Sequence, residues 1–177
     1  MDAKDIPPKK IKMLRNKFKK IVLNSIIIIF IFSLDRISKI YILKIAEIES
    51  SVDIYLTPYL NFYLIWNKGI AFGFFSFNES LIYNLITLVI MVIILIILSM
   101  IVKSYGFTKY SLMIVMGGAL GNLFDRIYYS AVPDFIDFHI NGYHWFIFNV
   151  ADIFVTVGIL CLIFDEMFIN SKKNEKI

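Results

Sequence analysis

Acidic residues interrupt or border long apolar runs at three points in this chain. Asp35 follows IVLNSIIIIFIFSL, Asp125 closes YSLMIVMGGALGNLF, and Asp152 precedes IFVTVGILCLIF. A carboxylate in hydrocarbon is costly and is tolerated when it is paired, hydrated or used in a reaction. Two close carboxylates cannot both ionise cheaply, so they share a proton; one can then activate a water while the other protonates a carbonyl oxygen. The acids therefore raise the possibility of acid–base hydrolysis within a membrane.

The spacing of these acids predicts that they lie at a common depth. At 1.5 Å per helical residue, Asp35 lies roughly 21 Å along its helix from Ile21, and Asp125 lies roughly 22 Å from Tyr110. Asp152 enters its apolar run from the opposite end, about one turn down. Further polar residues flank the three acids: Lys39, Asn122, Arg126, Asp134, Asp137 and Asn149. Each acid alone could be an interfacial group hydrated by lipid headgroups, but a shared polar cavity explains the whole set better.

Other hydrolytic and metal chemistries have no matching motif. The chain contains no HExxH and no GxSxG. His139 and His144 lack metal-ligand spacing on one helix face, so we expect neither a metal site nor a cofactor. Cys161 is the single cysteine, which excludes an intramolecular disulfide. Carboxylates remain as the groups able to do chemistry.

The elements that must position these acids are membrane spans. Hydrophobic residues make up 59% of the 177 residues, above the roughly 45–50% of soluble domains. Four apolar runs approach the length of about 20 residues that crosses a bilayer. The predicted spans are 21–43, 81–102, 110–127 and 149–169. We therefore predict an all-α membrane protein with four transmembrane helices in one domain, 1–177, with basic tails at 1–20 and 170–177.

The distribution of lysine and arginine predicts the orientation of the spans. Eight of these residues lie in the first 20, two in the linker KSYGFTK and three in the tail SKKNEKI. The loops on the other side contain fewer, with Lys44 and Lys68 in the first. The positive-inside rule therefore puts both termini in the cytoplasm and the segments 44–80 and 128–148 outside.

Two further patterns bear on the fold. The outer stretch SVDIYLTPYLNFYLIWNKGIAFGFFSFNES is rich in aromatic and β-branched residues, which predicts a small sheet on the membrane surface. Gly117 and Gly121 form a GxxxG spacing, which permits close approach of a neighbouring helix. That approach would draw the spans together around the polar cavity.

Five motifs resemble those of one known family. DRISK (35–39), NKGIAFG (67–73), GGALGNLFDR (117–126), VPDFIDF (132–138) and FNVAD (148–152) are similar, in order and spacing, to the boxes of lipoprotein signal peptidase, or signal peptidase II. The resemblance covers nearly the whole chain. It implies an aspartic endopeptidase of the bacterial plasma membrane with its site at the extracytoplasmic face. Such an enzyme removes the signal peptide from diacylglyceryl-modified prolipoproteins, cutting before the lipidated cysteine.

The resemblance also implies roles for individual residues. Asp134 of VPDF and Asp152 of FNVAD match the catalytic positions. Residues matching positions that bind substrate or support the site are Asp35, Lys39, Asn67, Gly69, Asn122, Asp125, Arg126 and Asn149. By depth in the membrane alone, Asp125 could take the place of Asp134 as the second catalytic acid. The adjacent Arg126 would hold Asp125 ionised, which favours Asp134 as a member of the proton-sharing pair. Pro133 stands where relatives often have valine.

The partners expected from this resemblance are lipidated prolipoproteins and membrane phospholipid, with no nucleic acid, and we expect a monomer. Two other functions are compatible with a small membrane protein. A proton-coupled transporter also needs intramembrane acids, but these acids lie toward one interface and the inner half of every span is apolar. A structural scaffold would leave the clustered acids unexplained.

Overall fold

Four α-helices and four β-strands make up the described part of the chain, which in this computed structural model covers residues 7–69, 79–140 and 143–170. The helices are α1 (Pro8–Glu49), α2 (Glu79–Lys103), α3 (Gly106–Tyr129) and α4 (Val150–Phe164). The strands are β1 (Asp53–Thr57), β2 (Leu60–Asn67), β3 (Val132–Ile140) and β4 (Tyr143–Phe148). A π-helical turn, Asp165–Asn170, continues α4. The helices overlap the four predicted spans, and α1 also includes residues 8–20 of the predicted basic tail.

Helix α3 is the packing centre, and its glycines permit close contact on two sides. A Cβ added at Gly117 would lie 2.8 Å from Cβ of Ile31 on α1. One added at Gly118 would lie 2.5 Å from the carbonyl oxygen of Ala151 on α4. Both distances are shorter than real Cβ contacts, so a larger residue would push the helices apart. Gly117 thus brings α1 close to α3, as the GxxxG pattern predicted, and Gly118, which lies outside that pattern, permits a similar approach of α4.

The helices expose apolar side chains on their outer faces, as expected for contact with lipid. On α2, for example, Leu95 is 63% and Val102 is 76% exposed. Within the described residues, two helical segments are long and apolar enough to cross a membrane, Ile11–Glu49 and Ser80–Lys103. The regular part of α4 has only 15 residues, and α3 carries several polar side chains. Membrane crossing by α3 and α4 therefore remains a prediction.

The four strands form one antiparallel sheet in the order β1-β2-β3-β4. Strands β1 and β2 confirm the β-rich character predicted for the segment after the first span. The outer segment 128–148, for which no strand was predicted, contains β3 and β4. The alternation in VPDFIDFHI and the Asn-Gly dipeptide that follows it are sequence signals of this hairpin.

Helices α1 and α3 are each followed directly by a strand of the sheet, α1 by β1 and α3 by β3. Ser50 and Ser130 follow the two helices in the left-handed region, with φ of 63° and 56°. A left-handed residue ends a helix and redirects the chain. A small apolar core of Ile42, Val52 and Phe135 then holds the sheet against the end of α1. This core fixes β3, which carries Asp134, relative to the helices.

Candidate active site

Asp152 lies in the first turn of α4, where its carboxylate helps to cap the helix. Its Oδ2 accepts a hydrogen bond from the backbone N–H of Asn149 at 3.0 Å, and the side chain of Asn149 accepts one from the N–H of Asp152 at 3.1 Å. This reciprocal pair is a capping box. The positive end of the helix dipole also favours an acid here. The capping interactions and the helix dipole at the start of α4 therefore stabilise Asp152, although the rest of this helix is apolar.

Asp134 lies on β3 and is almost fully buried, with 2% of its surface exposed. Its two oxygens accept hydrogen bonds from the side-chain amides of Asn149, at 2.5 Å, and Asn67, at 2.9 Å. Burial raises the pKa of Asp134 to about 6, and the nearby charge of Asp152 adds to the shift, against the lowering effect of the two amides. Asp134 is thus an acid that can hold a proton near neutral pH.

Asn149 joins Asp134 and Asp152, here called the acid pair. Its side-chain nitrogen donates to Asp134, while its backbone nitrogen and side-chain oxygen engage Asp152. Asn149 is itself fully buried. One residue therefore sets the position of both acids, although they come from different elements.

A turn after β2 positions the second amide that contacts Asp134. The side-chain oxygen of Asn67 accepts a hydrogen bond from the N–H of Gly69 at 2.7 Å, which leaves its nitrogen to donate to Asp134. Gly69 has a φ of +76°, a conformation that residues with a Cβ rarely adopt. A Cβ there would also lie 3.0 Å from Nη2 of Arg126. The remainder of the NKGIAFG motif lies outside the described residues.

A chain of polar contacts connects the acid pair to charges on α1 and α3. The side-chain nitrogen of Asn122 donates to Asp152 at 2.8 Å, and its oxygen accepts from Lys39 at 2.9 Å. Asp35 accepts a hydrogen bond from the backbone N–H of Ala151, the residue before Asp152, at 3.0 Å. Both contacts tie α4 to the two helices packed against it.

The buried charges on these helices form an ionic cluster of Asp35, Arg36, Lys39 and Asp125. Lys39 Nζ lies 2.9 Å from Asp35 and 2.6 Å from Asp125, and all three side chains are inaccessible to solvent. Arg36 lies 2.7 Å from Asp35 and 2.6 Å from Asp125. Two cations therefore balance two anions, which is what burial of charge requires. Asp35 and Lys39 are four residues apart on one face of α1.

The cation that neutralises Asp125 differs from the one predicted. The sequence suggested Arg126, the adjacent residue, but the partners are Lys39 and Arg36 on α1. Successive residues on a helix point about 100° apart, so Arg126 faces away from the ionic cluster. Its guanidinium lies 5.6 Å from the ring of Tyr83, whose hydroxyl donates to the Arg126 carbonyl. Arg36 was not among the predicted site residues, although it follows Asp35 directly in the DRISK motif.

The structure thus brings the predicted site residues to one region where α1, α3, α4, β2 and β3 meet. Asp134 and Asp152 share Asn149, whereas Asp125 belongs to the ionic cluster. Sequence reasoning missed the capping role of Asn149, although the spacing in NVAD contains its signal. Chemically, the arrangement offers one acid with a raised pKa beside a second acid at a helix N-terminus.

A family model and two curated relatives indicate one and the same family for this chain. A family model described as signal peptidase (SPase) II matches residues 27–168. The chain is 56% identical over 159 residues to a lipoprotein signal peptidase of Pelagibacter ubique (strain HTCC1062), covering 89% of this chain and 96% of that one. It is 36% identical over 158 residues to a lipoprotein signal peptidase of Anaplasma phagocytophilum (strain HZ), covering 88% and 99%.

The fold also resembles a solved structure. A bacterial membrane enzyme determined by the in meso method superposes with a TM-score of 0.65 and 28% sequence identity. The match covers 86% of this chain and 92% of that enzyme. The helices and the sheet described above are therefore similar in arrangement to those of a membrane enzyme.

Proposed function

The chain belongs to the signal peptidase II family, and on that basis we propose that it removes signal peptides from prolipoproteins as an aspartic endopeptidase, with Asp134 and Asp152 as its catalytic pair. The substrate is a diacylglyceryl-modified prolipoprotein, and the bond cut is the one before the lipidated cysteine. The observation that carries this proposal is the acid pair held by Asn149.

The proposed reaction is hydrolysis of a peptide bond by an acid and a base that share a proton. Asp152 removes a proton from a water, which attacks the carbonyl carbon of the bond before the cysteine. Asp134 donates its proton to the carbonyl oxygen, so that a neutral tetrahedral diol forms. Protonated Asp152 then donates its proton to the departing nitrogen, while ionised Asp134 takes a proton from one hydroxyl of the diol. The C–N bond breaks to give a carboxylic acid and an amine, and the acid pair returns to its starting state with one shared proton.

The environment of the acids supports this assignment of roles. Burial raises the pKa of Asp134 to about 6, so it holds the shared proton at a higher pH than an ordinary aspartic acid. Asp125 is a poorer candidate because Lys39 and Arg36 both lie within 2.6 Å of its carboxylate. Its carboxylate is therefore already engaged in two ion pairs.

The membrane setting explains how the substrate reaches the acid pair. We infer four crossings with both termini in the cytoplasm, and the sheet and acid pair at the extracytoplasmic surface of the bacterial plasma membrane. The acyl chains of the substrate would hold its cysteine at that surface. Such anchoring raises the effective concentration of the scissile bond at the site.

Cleavage of a defined substrate tests the proposal. Purified protein is incubated with a lipidated prolipoprotein and with its unlipidated precursor, and the cleaved bond is mapped by mass spectrometry. We expect cleavage before the lipidated cysteine and little or none of the unlipidated form. Asp134→Asn and Asp152→Asn should each lose activity by several orders of magnitude, since the two acids act as a unit.

The control is Glu49→Gln, an acid-to-amide change at an exposed residue at the end of α1. It should cleave at the rate of the unmodified protein. Asp125→Asn supplies the competing assignment. If folded Asp125→Asn is inactive while Asp134→Asn remains active, the pair is Asp125 with Asp152 and the proposal is wrong.

A further inference from the structure

A second group of ionisable side chains lies on the sheet, apart from the acid pair. Asp137 and His139 of β3 and His144 of β4, here called the histidine cluster, present ligand atoms that all lie within 4.8 Å of one another. His139 and His144 are directly opposite in the register of the two strands. The sequence offered no metal-ligand spacing on a helix face, but strand pairing brings the two histidines together.

The geometry of the histidine cluster is close to that of a zinc site. Nδ1 of His144 lies 2.8 Å from Asp137 Oδ2, and Nδ1 of His139 lies 3.5 Å from the same oxygen. Ligands held at 2.0–2.1 Å from a tetrahedral zinc ion are about 3.3 Å apart. The observed separations lie on either side of this value, so side-chain adjustments of less than an ångström would accommodate the ion.

Two buried polar atoms at this site have no hydrogen-bond partner in the described part of the chain and could bind a metal ion. Asp137 is fully buried, and both of its carboxylate oxygens lie within hydrogen-bond distance of Nδ1 of His144, at 2.9 and 2.8 Å. Nδ1 of His139 and Oδ1 of Asn61 are buried with no hydrogen-bond partner among the described residues. Asn61 lies opposite Asp137 in the register of β2 and β3. A cation would satisfy these acceptors together, whereas an ion pair between Asp137 and His144 satisfies only two of the groups.

The site has room for a further ligand. An open pocket lies beside it, lined by Asp53, Asn61, Tyr63, Asp137, His144 and Ile147. His144 is 56% exposed at its side chain, so the site can exchange ions with solvent. The site offers two imidazoles and one carboxylate and leaves a position for water or Asn61. This ligand set favours zinc over magnesium or calcium.

We propose that Asp137, His139 and His144 bind a zinc ion on the extracytoplasmic sheet. The ion crosslinks β3 and β4. Since Asp134 lies three residues before Asp137 on β3, the ion also stiffens the strand that carries one acid of the pair. This site is separate from the proposed catalytic pair, and its occupancy is independent of whether that pair cleaves peptides.

Zinc binding is measured on the full chain, purified in detergent without a polyhistidine tag and stripped of metal with a chelator. Titration of Zn²⁺ against a chromophoric chelator should show one ion bound per chain. His144→Ala should weaken zinc binding at least tenfold, because it removes one of the three ligands. Since the His144 side chain is partly exposed, the substitution should leave the fold intact. Tyr143→Ala, an exposed neighbour on β4 that offers no ligand, should bind as the unmodified protein does.

Two further measurements separate this site from other modes of binding. Asp152→Asn should keep its zinc, whereas loss of binding in this variant would assign the ion to the acid pair. Zn²⁺ should raise the melting temperature of the unmodified protein but not that of His144→Ala, and Mg²⁺ should raise neither. Equal zinc affinity in the unmodified protein and in His144→Ala, or an equal shift with Mg²⁺, would overturn the proposal.

Discussion

Asp134, one of the two proposed catalytic acids, lies in an environment that disfavours its charged form. Asp134 is buried, and its pKa is raised to about 6 from an ordinary value of 3.8. Below pH 4 the group is protonated in both folded and unfolded chains and has no effect on stability. As pH rises from about 4 to about 6, the unfolded chain loses the proton first, so the free energy of unfolding falls. The cost above pH 6 is about 3 kcal/mol for a shift of this size.

The first prediction is that Asp134→Asn is at least as stable as the unmodified protein at pH 7.5, although it is inactive. The amide cannot ionise, so it avoids the cost of a buried charge. Melting temperatures measured in detergent at pH 7.5 and at pH 4 test this. The advantage of the variant over the unmodified protein should shrink or reverse at pH 4. An equal loss of stability at both pH values would mean that Asp134 is needed chiefly as a hydrogen-bond acceptor.

The second prediction concerns which cation supports the buried acids. Lys39→Met leaves Asp35 and Asp125 with only Arg36, and removal of one partner from a buried ion pair typically costs about 3–5 kcal/mol. Arg126→Leu should cost much less, because Arg126 is not the partner of Asp125. The yield and melting temperature of the two variants are compared. A greater loss in Arg126→Leu would restore the pairing that the sequence suggested.

At the scale of elements, the start of α4 links helix capping to the acid pair. Asn149 caps the helix and also donates to Asp134, so one side chain has a structural task and a positioning task. The sheet contributes the other acid, and the core of Ile42, Val52 and Phe135 holds the sheet on α1. The geometry of the pair therefore depends on the junction between β4 and α4 as much as on any single helix.

The third prediction separates the two tasks of Asn149. Asn149→Ala should lose about 1 kcal/mol of stability through the missing cap, together with most of the activity. Asn149→Ser restores a capping oxygen but offers no amide to Asp134. We therefore expect the serine variant to recover the melting temperature without recovering kcat. Recovery of both would show that capping alone accounts for Asn149.

At the scale of the whole molecule, the charge distribution and the site predict one orientation in the membrane. The basic residues are concentrated near the two termini, and the sheet and acid pair lie together at the end of the bundle where α1 and α3 finish. A bilayer around the helices would cover the exposed apolar faces seen on α1 and α2. In the proposed orientation, that end of the bundle would face substrates anchored in the outer leaflet.

The fourth prediction is the topology itself. Reporter fusions after Asn141 should report the extracytoplasmic side, and fusions after Ser104 should report the cytoplasm, since α2 and α3 are joined there next to Lys103 and Lys109. A fusion after Glu79 supplies a second outer position. A cytoplasmic signal at Asn141 would contradict four crossings and would move the acid pair to the wrong face for a lipoprotein substrate.

Sequence patterns alone predict the helical segments, the membrane character, the family and most of the polar residues around the acid pair, although Arg36 was not among them. These follow from local patterns: long apolar runs, the distribution of lysine and arginine, and motifs read along the chain. What the sequence could not determine were contacts between residues far apart in the chain. The pairing of Asp125 with Lys39 rather than with Arg126, and of His139 with His144, depends on helix rotation and strand register.

The tertiary structure separates these acids into the ionic cluster, which contains Asp125, and the proposed catalytic pair, which contains Asp134. In the sequence, Asp125 and Asp134 are equivalent in type and similar in expected depth. In the fold, Asp125 lies between two buried cations, whereas Asp134 receives only neutral amides and is left with a raised pKa. The chemistry of a carboxylate depends on the charges and donors within a few ångströms of it, and packing sets those neighbours.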